Sequence, residues 1–160
     1  MILEFGELLV WFFACLVGVF ILHEYMHKLA CERQGGKGRI EVWFYQPSEE
    51  YPWLKIPSMR CWCEPGTGQD LNWQYIDYAG GIGAGFVSVM LSLPFYWIYP
   101  PLFIALFCCG TINLVYGLYE GMFLRKWNFD DYMKCHYFVE LGGLIIGILI
   151  VKNVIWDWVF

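Results

Sequence analysis

A His-Glu-x-x-His pattern at residues 23–27 constrains this chain most, because it directly follows an apolar run over residues 8–22. The run and its flanks predict a membrane-crossing helix, which needs about 20 apolar residues. Positions i and i+4 of a helix face the same side, so His23 and His27 can ligate one metal ion. Glu24 then reaches a water on that metal as a general base. The pattern predicts a zinc site at the inner end of a membrane helix.

The pattern has an ordinary alternative, because His and Glu at this spacing also occur by chance on solvated helix faces. The surroundings favour the metal interpretation. Two imidazoles and a carboxylate within one turn are among the costliest side chains to place near a bilayer, and such groups are usually functional. The chain has only three histidines, and the pattern uses two of them, leaving His136.

The composition predicts a protein that uses lipid as part of its solvent. Of the 160 residues, 59% are apolar and 21% aromatic, more than a water-soluble domain of this size can cover. The length predicts one domain over residues 1–160. A net charge of −5 argues against nucleic acid as a partner. The first apolar run follows two glutamates and lacks a basic region, so we expect a retained helix rather than a cleaved signal.

The chain is predicted to be an all-α membrane protein with about four transmembrane helices and a small β-hairpin or strand insertion after the first helix. Apolar segments long enough to cross a bilayer alternate with polar or Gly- and Pro-rich stretches. Alternating β-forming residues predict the insertion. The predicted helices span about 5–30, 76–98, 102–124 and 136–158, and the β-rich insertion spans about 38–64.

Basic residues predict the orientation in the membrane. All but one of the ten Lys and Arg residues lie from the end of the first predicted helix to the start of the second, or between the third and fourth. Cytoplasmic loops carry an excess of such residues. We therefore expect a multi-pass protein with both termini outside and the His pair toward the cytoplasmic side.

The seven cysteines do not form the pattern of a secreted disulfide framework, because their number is odd and several lie in predicted membrane helices. Cys61 and Cys63 form a C-x-C pair without a second pair at zinc-finger spacing. They are either a second metal site or strand residues with small side chains, and the sequence leaves their role open.

A catalytic zinc usually has a third protein ligand. Glu120 is the only acid near the end of the third predicted helix, and topology brings that end level with His27. The ordinary alternative for Glu120 is pairing with Arg125 or Lys28. Asp130 and Asp131 are rival ligands, although capping of the fourth helix is the favoured explanation for both.

These features together resemble the site-2 protease family of intramembrane zinc metalloproteases, in its archaeal-type minimal form. The resemblance rests on the His-Glu-x-x-His helix, the β-rich insertion, the Ala-Gly-Gly run at 79–81, and Asn113 followed by Glu120-Gly121. It implies Glu120 as the third zinc ligand and Asn113 as a substrate-binding residue. The chain departs from the family in having Glu for Asp, no Pro-x-Pro, and one residue fewer between Asn and the acid.

The resemblance implies hydrolysis of a peptide bond in a membrane-spanning protein substrate near the cytoplasmic face. An extended substrate is expected to pair with the edge of the strand at 39–46. Asn113 has an alternative role as a helix–helix hydrogen bond. Two other classes stay open: an inactive relative that binds membrane proteins, and a membrane metal-binding protein with Cys135 or His136 as further ligands. Substrate identity and oligomeric state are not predicted.

Overall fold

The fold consists of helices with one two-stranded antiparallel sheet inserted after the first helix. A computed structural model of the chain describes residues 2–45, 56–68, 70–126 and 129–156. The elements in chain order are α1 (Ile2–Arg33), β1 (Lys37–Tyr45), β2 (Ile56–Glu64), α2 (Trp73–Ser92), α3 (Phe95–Ile98), α4 (Pro100–Phe123), α5 (Phe129–Ile150) and a π-helical segment (Val151–Trp156).

Helix α1 carries the His-Glu-x-x-His motif in its C-terminal third. The helix ends where Gly35 adopts a positive φ of 84°, a conformation that glycine reaches without steric cost. The backbone N–H groups of Gly35 and Gly36 bond to carbonyls of the last turn, at 2.9 and 3.1 Å. This glycine stop confirms the predicted end of the helix within about three residues.

The predicted insertion is a β-hairpin whose two strands are confirmed, with register partners from Lys37↔Glu64 to Tyr45↔Ile56. Side chains alternate across the sheet. Val42 and its partner Met59 border the cavity described below, whereas Arg39 and Glu41 form an ion pair on the other face. The hairpin therefore packs its apolar face toward the helices and leaves a charged face outward.

The second predicted helix is wrong in its last part. Helix α2 ends at Ser92, and the chain turns at Pro94 into the short helix α3 before Pro100 begins α4. Proline removes a backbone donor and disfavours continuation of the helix before it. The fourth predicted helix also begins earlier than expected, because α5 starts at Phe129.

Two helices in the described part of the chain are long and apolar enough to cross a membrane, Gly6–Arg33 and Pro100–Phe123. These correspond to the first and third predicted spans. The predicted four-span arrangement goes further and stays a prediction.

Helix α2 packs against both α1, which carries the His-Glu-x-x-His motif, and α4, which carries Glu120. Its contact with α4 is a direct approach of two backbones: a Cβ at Gly81 would lie 2.3 Å from the Gly117 Cα. This confirms the interpretation of the small-residue run as a close-packing surface.

A disulfide joins Cys31, near the end of α1, to Cys63 in β2. Cys31 is fully buried, and the two cysteines are 32 residues apart in sequence. Cys63 therefore belongs neither to a metal-binding C-x-C pair nor to the strand as a simple apolar residue. The bond fastens the hairpin to the helix end that carries the histidines.

Candidate metal centre

Three predicted ligands meet inside the protein. His23 and His27 lie one turn apart on α1, and Glu120 projects from the last turns of α4. Their facing atoms form a small triangle: the two Nε2 atoms are 3.0 Å apart, and Glu120 Oε2 lies 3.3 Å from His23 Nε2 and 3.4 Å from His27 Nε2. All three side chains are buried. They form the group that could hold a metal ion in the described part of the chain.

The other nitrogen of each imidazole is engaged by an oxygen. His23 Nδ1 lies 3.1 Å from Asn113 Oδ1, and His27 Nδ1 lies 2.7 Å from the Ile76 carbonyl. The Asn113 amide donates to the Cys109 carbonyl at 3.1 Å, which turns its oxygen toward His23. Both acceptors call for a proton on Nδ1, and in a neutral imidazole that proton leaves the lone pair on Nε2.

Two ring nitrogens and a carboxylate oxygen thus face one another at close range, an arrangement that a metal ion or a proton between them stabilises. Among the described residues, Glu120 Oε2 has no hydrogen-bond partner although it is buried. Ligand atoms lie about 3.3–3.4 Å apart when each is about 2.0–2.1 Å from a tetrahedral zinc. The observed edges of 3.0–3.4 Å fit such an ion.

Glu24 is buried beside the triangle and accepts a hydrogen bond from the β2 backbone. The Cys61 N–H lies 2.6 Å from Glu24 Oε2. A strand N–H points either to its partner strand or away from it, so the outer edge of β2 at Cys61 faces Glu24. The hairpin is therefore adjacent to the predicted general base.

The Cys61 thiol, which is free, lies in this hairpin beside two carboxylates. Burial raises its pKa to about 11, and the negative charges of Glu24 and Glu32 add to the shift. A thiol with so high a pKa is mostly protonated at neutral pH and is a poor metal ligand or nucleophile.

A cavity of about 700 Å³ opens beside the triangle formed by His23, His27 and Glu120. Its walls come from α1, the hairpin, α4 and α5, and they are mostly apolar. The polar groups among the lining residues include Glu24, Asn113 and Glu120 at the site and Glu140 on α5. A concave apolar space with a few convergent polar groups is typical of a ligand-binding site.

The alternative partners that the sequence offered for Glu120 are engaged elsewhere. Arg125 contacts Asp77, with Nε 2.5 Å from Oδ2, and Lys28 lies 3.7 Å from Glu32. Simple ion pairing of Glu120 with either cation is therefore wrong. Asp130 and Asp131 lie in the first turn of α5, and their side chains are outside the described part of the structure, as is that of His136.

Two contacts at the site are not foreseen in the sequence. Every residue type has a backbone carbonyl, so the sequence does not indicate that the carbonyl of Ile76 contacts His27. Asp77 could have been singled out from the sequence, because it is an isolated acid at the start of an apolar helix. Such groups are usually paired or functional.

A comparison of the chain with models of protein families, with curated proteins and with solved structures finds no match. A function for the chain is therefore inferred from the geometry of the site and from the sequence patterns.

Proposed function

We propose that the chain is an intramembrane zinc metalloprotease that resembles the site-2 proteases. One observation carries the proposal: the Nε2 atoms of His23 and His27 and the Oε2 atom of Glu120 converge at the spacing of a tetrahedral metal site. Glu24 lies beside them at an apolar cavity. Two nitrogen ligands, one carboxylate and a neighbouring glutamate are the donor set of catalytic zinc in hydrolases.

The residues that would hold the ion are His23, His27 and Glu120, each oriented by a contact described above. Zinc bound there would act as a Lewis acid and bring a bound water into its ionisable range near neutral pH. Asn113 and the Ile76 carbonyl keep the Nδ1 protons in place, so both Nε2 atoms stay available. Orientation of His23 is the role that the contacts of Asn113 support, while its predicted substrate contact stays a prediction.

Glu24 is proposed as the general base. Its carboxylate takes a proton from the water that attacks the carbonyl carbon of the substrate peptide, and returns a proton to the amine nitrogen as the C–N bond breaks. The products are a carboxylate and an amine, with one water consumed. The Cys61 N–H on Oε2 fixes the carboxylate and leaves its other oxygen for the proton transfer.

The proposed substrate is a membrane-spanning protein segment in extended form, because a helix hides its carbonyl groups. The apolar cavity suits such a segment. Strand addition supplies main-chain hydrogen bonds to an extended peptide. We predict from sequence that β1 offers this edge, but the edge nearest the base belongs to β2, and the geometry therefore favours β2.

We further propose a four-span protein with its site toward the cytoplasm, as the basic residues predict. The Cys31–Cys63 disulfide is unusual for that side, since disulfides persist mainly in oxidising compartments. The orientation of the hairpin in the membrane therefore requires its own test, by labelling from the two sides.

The test of the function combines metal analysis with a cleavage assay on protein purified in detergent. Wild-type protein should contain one zinc per chain, and His23→Ala with His27→Ala should contain none. Glu24→Gln should keep its zinc and lose about 10²- to 10⁴-fold in cleavage rate of a model transmembrane substrate, because an amide cannot accept the proton.

Each outcome separates the proposal from its rivals. Zinc without cleavage by the wild-type protein would indicate a metal-binding membrane protein or an inactive relative. Zinc retained in the double-histidine variant would contradict the site itself. Cleavage at the wild-type rate by Glu24→Gln would contradict the assigned base.

A further inference from the structure

The first turns of α2 contact both elements that carry metal ligands. The Ile76 carbonyl lies 2.7 Å from His27 Nδ1 and so orients a ligand from α1. The next residue, Asp77, pairs with Arg125 at the end of α4. One short segment of α2 therefore holds a ligand histidine on one side and the end of the Glu120 helix on the other.

The contact between Asp77 and Arg125 is two-pronged and partly buried. Arg125 Nε lies 2.5 Å from Oδ2 of Asp77, and Nη2 lies 3.2 Å from Oδ1. The Asp77 side chain is only 7% exposed, and the guanidinium also sits 4.8 Å from the centre of the Trp73 ring. A bidentate contact of this kind fixes the orientation of the guanidinium relative to the carboxylate as well as their distance, because two donors must match two oxygens.

Arg125 is joined to Glu120 through the last turn of the α4 helix. The backbone N–H of Leu124, which precedes Arg125, donates to the Glu120 carbonyl at 3.0 Å. The carboxylate of Glu120 is not held by a hydrogen bond to Oε2 among the described residues. Its place relative to the two imidazoles therefore depends on where the end of α4 is fixed.

We propose that Asp77 and Arg125 are positioning residues that set Glu120 at ligand distance from His23 and His27. The inference rests on the proposed metal site and extends it beyond the ligands and their direct hydrogen-bond partners. Asp77 acts through Arg125 and the last turn of α4, and neither residue touches the metal. Because Ile76 and Asp77 are consecutive, the segment that orients His27 also sets the distance of Glu120 from it.

The inference is tested by zinc affinity in a double-mutant cycle, measured by chelator competition on protein in detergent. Asp77→Asn keeps the shape of the side chain and removes its charge, and should raise the zinc Kd by about 10- to 100-fold, as expected when a ligand's support is lost. Glu120→Gln should raise it further. If Asp77 acts through Glu120, adding Asp77→Asn to Glu120→Gln should change the Kd by less than about threefold.

Cobalt(II) reports the ligand set directly through its visible absorption. The cobalt spectrum of Asp77→Asn should shift toward that of Glu120→Gln, a change that loss of fold stability alone does not cause. Arg125→Lys keeps the charge but not the bidentate contact, and should give a smaller loss of affinity in the same direction. It also serves as the readout if Asp77→Asn fails to fold. Arg39→Gln, which breaks the exposed pair with Glu41, is the matched control and should bind zinc like the wild type.

Additive effects of Asp77→Asn and Glu120→Gln would overturn the inference, as would an unchanged Kd or a wild-type cobalt spectrum in the Asp77→Asn protein. Those results leave the metal site intact. A wild-type protein that binds no zinc would instead overturn the proposed function, and the inference with it.

Discussion

Replacement of Gly80 by alanine tests the metal centre with the addition of a single methyl group. A Cβ at this position would lie 2.1 Å from His27 Nε2, 2.4 Å from Cε1 and 2.6 Å from Cδ2. All three are ring atoms, and the ring is fixed through Nδ1 to the Ile76 carbonyl. The ring therefore cannot avoid the methyl group by turning in place.

The size of the effect follows from these distances. Ordinary contact begins at 3.4 Å, so Nε2 has to retreat by about 1.3 Å. Zinc–nitrogen bonds keep their length within about 0.2 Å, and the His27 bond is therefore lost. Loss of a ligand should weaken zinc binding more than loss of a residue that only orients a ligand. We therefore expect the zinc Kd to rise by about 100-fold or more.

The assay is chelator competition, with thermal unfolding of the metal-free protein measured beside it. Gly142→Ala is the matched control, because a Cβ there meets nothing within 4 Å. Both changes gain about 1 kcal/mol of helix propensity, so their difference isolates the contact with His27. Zinc affinity in Gly80→Ala within about threefold of the control would refute the placement of His27 at this face of α2.

Three further predictions concern the third ligand, the orientation and the hairpin thiol. Glu120→Ala should empty the zinc site, while Glu120→Asp should retain part of the affinity. Loss of zinc from Asp130→Ala or Asp131→Ala instead, measured by elemental analysis, would place the third ligand in the first turn of α5. A cysteine introduced at Arg39 should react with an impermeant maleimide only after cells are opened, and labelling of intact cells would put the hairpin on the outer, oxidising side. Alkylation of Cys61, measured by mass spectrometry, should accelerate about tenfold per pH unit up to its pKa of about 11, because only the thiolate reacts. A plateau below pH 9 would contradict the partly buried setting of this thiol beside two carboxylates.

Prediction from the sequence succeeded where the signal is local. The i, i+4 spacing of His23 and His27 fixes a shared helix face in any fold that keeps α1. Alternation of side chains predicted the two strands, and the Gly35 stop marked the end of the helix. The sequence singled out Glu120 as a candidate ligand because a carboxylate is rare at that depth of a membrane helix and is usually paired or functional.

Prediction failed where the decisive contact joins distant residues or a backbone group. The Cys31–Cys63 pairing depends on how far the hairpin folds back along α1, and spacing does not encode that distance. The break after Ser92 was missed because the apolar run continues through Pro94, and composition alone does not show where a helix bends.

The sequence by itself thus determined the candidate side chains of the metal site: two imidazoles on one helix face, one neighbouring carboxylate and one distant acid. Tertiary structure alone decided that the two imidazoles and the distant acid meet, with their facing atoms 3.0–3.4 Å apart. The physical reason is that ligand geometry is set by contacts across helices. The Ile76 carbonyl and the Asp77–Arg125 pair make those contacts, and their partners lie 48 or more residues away in the chain.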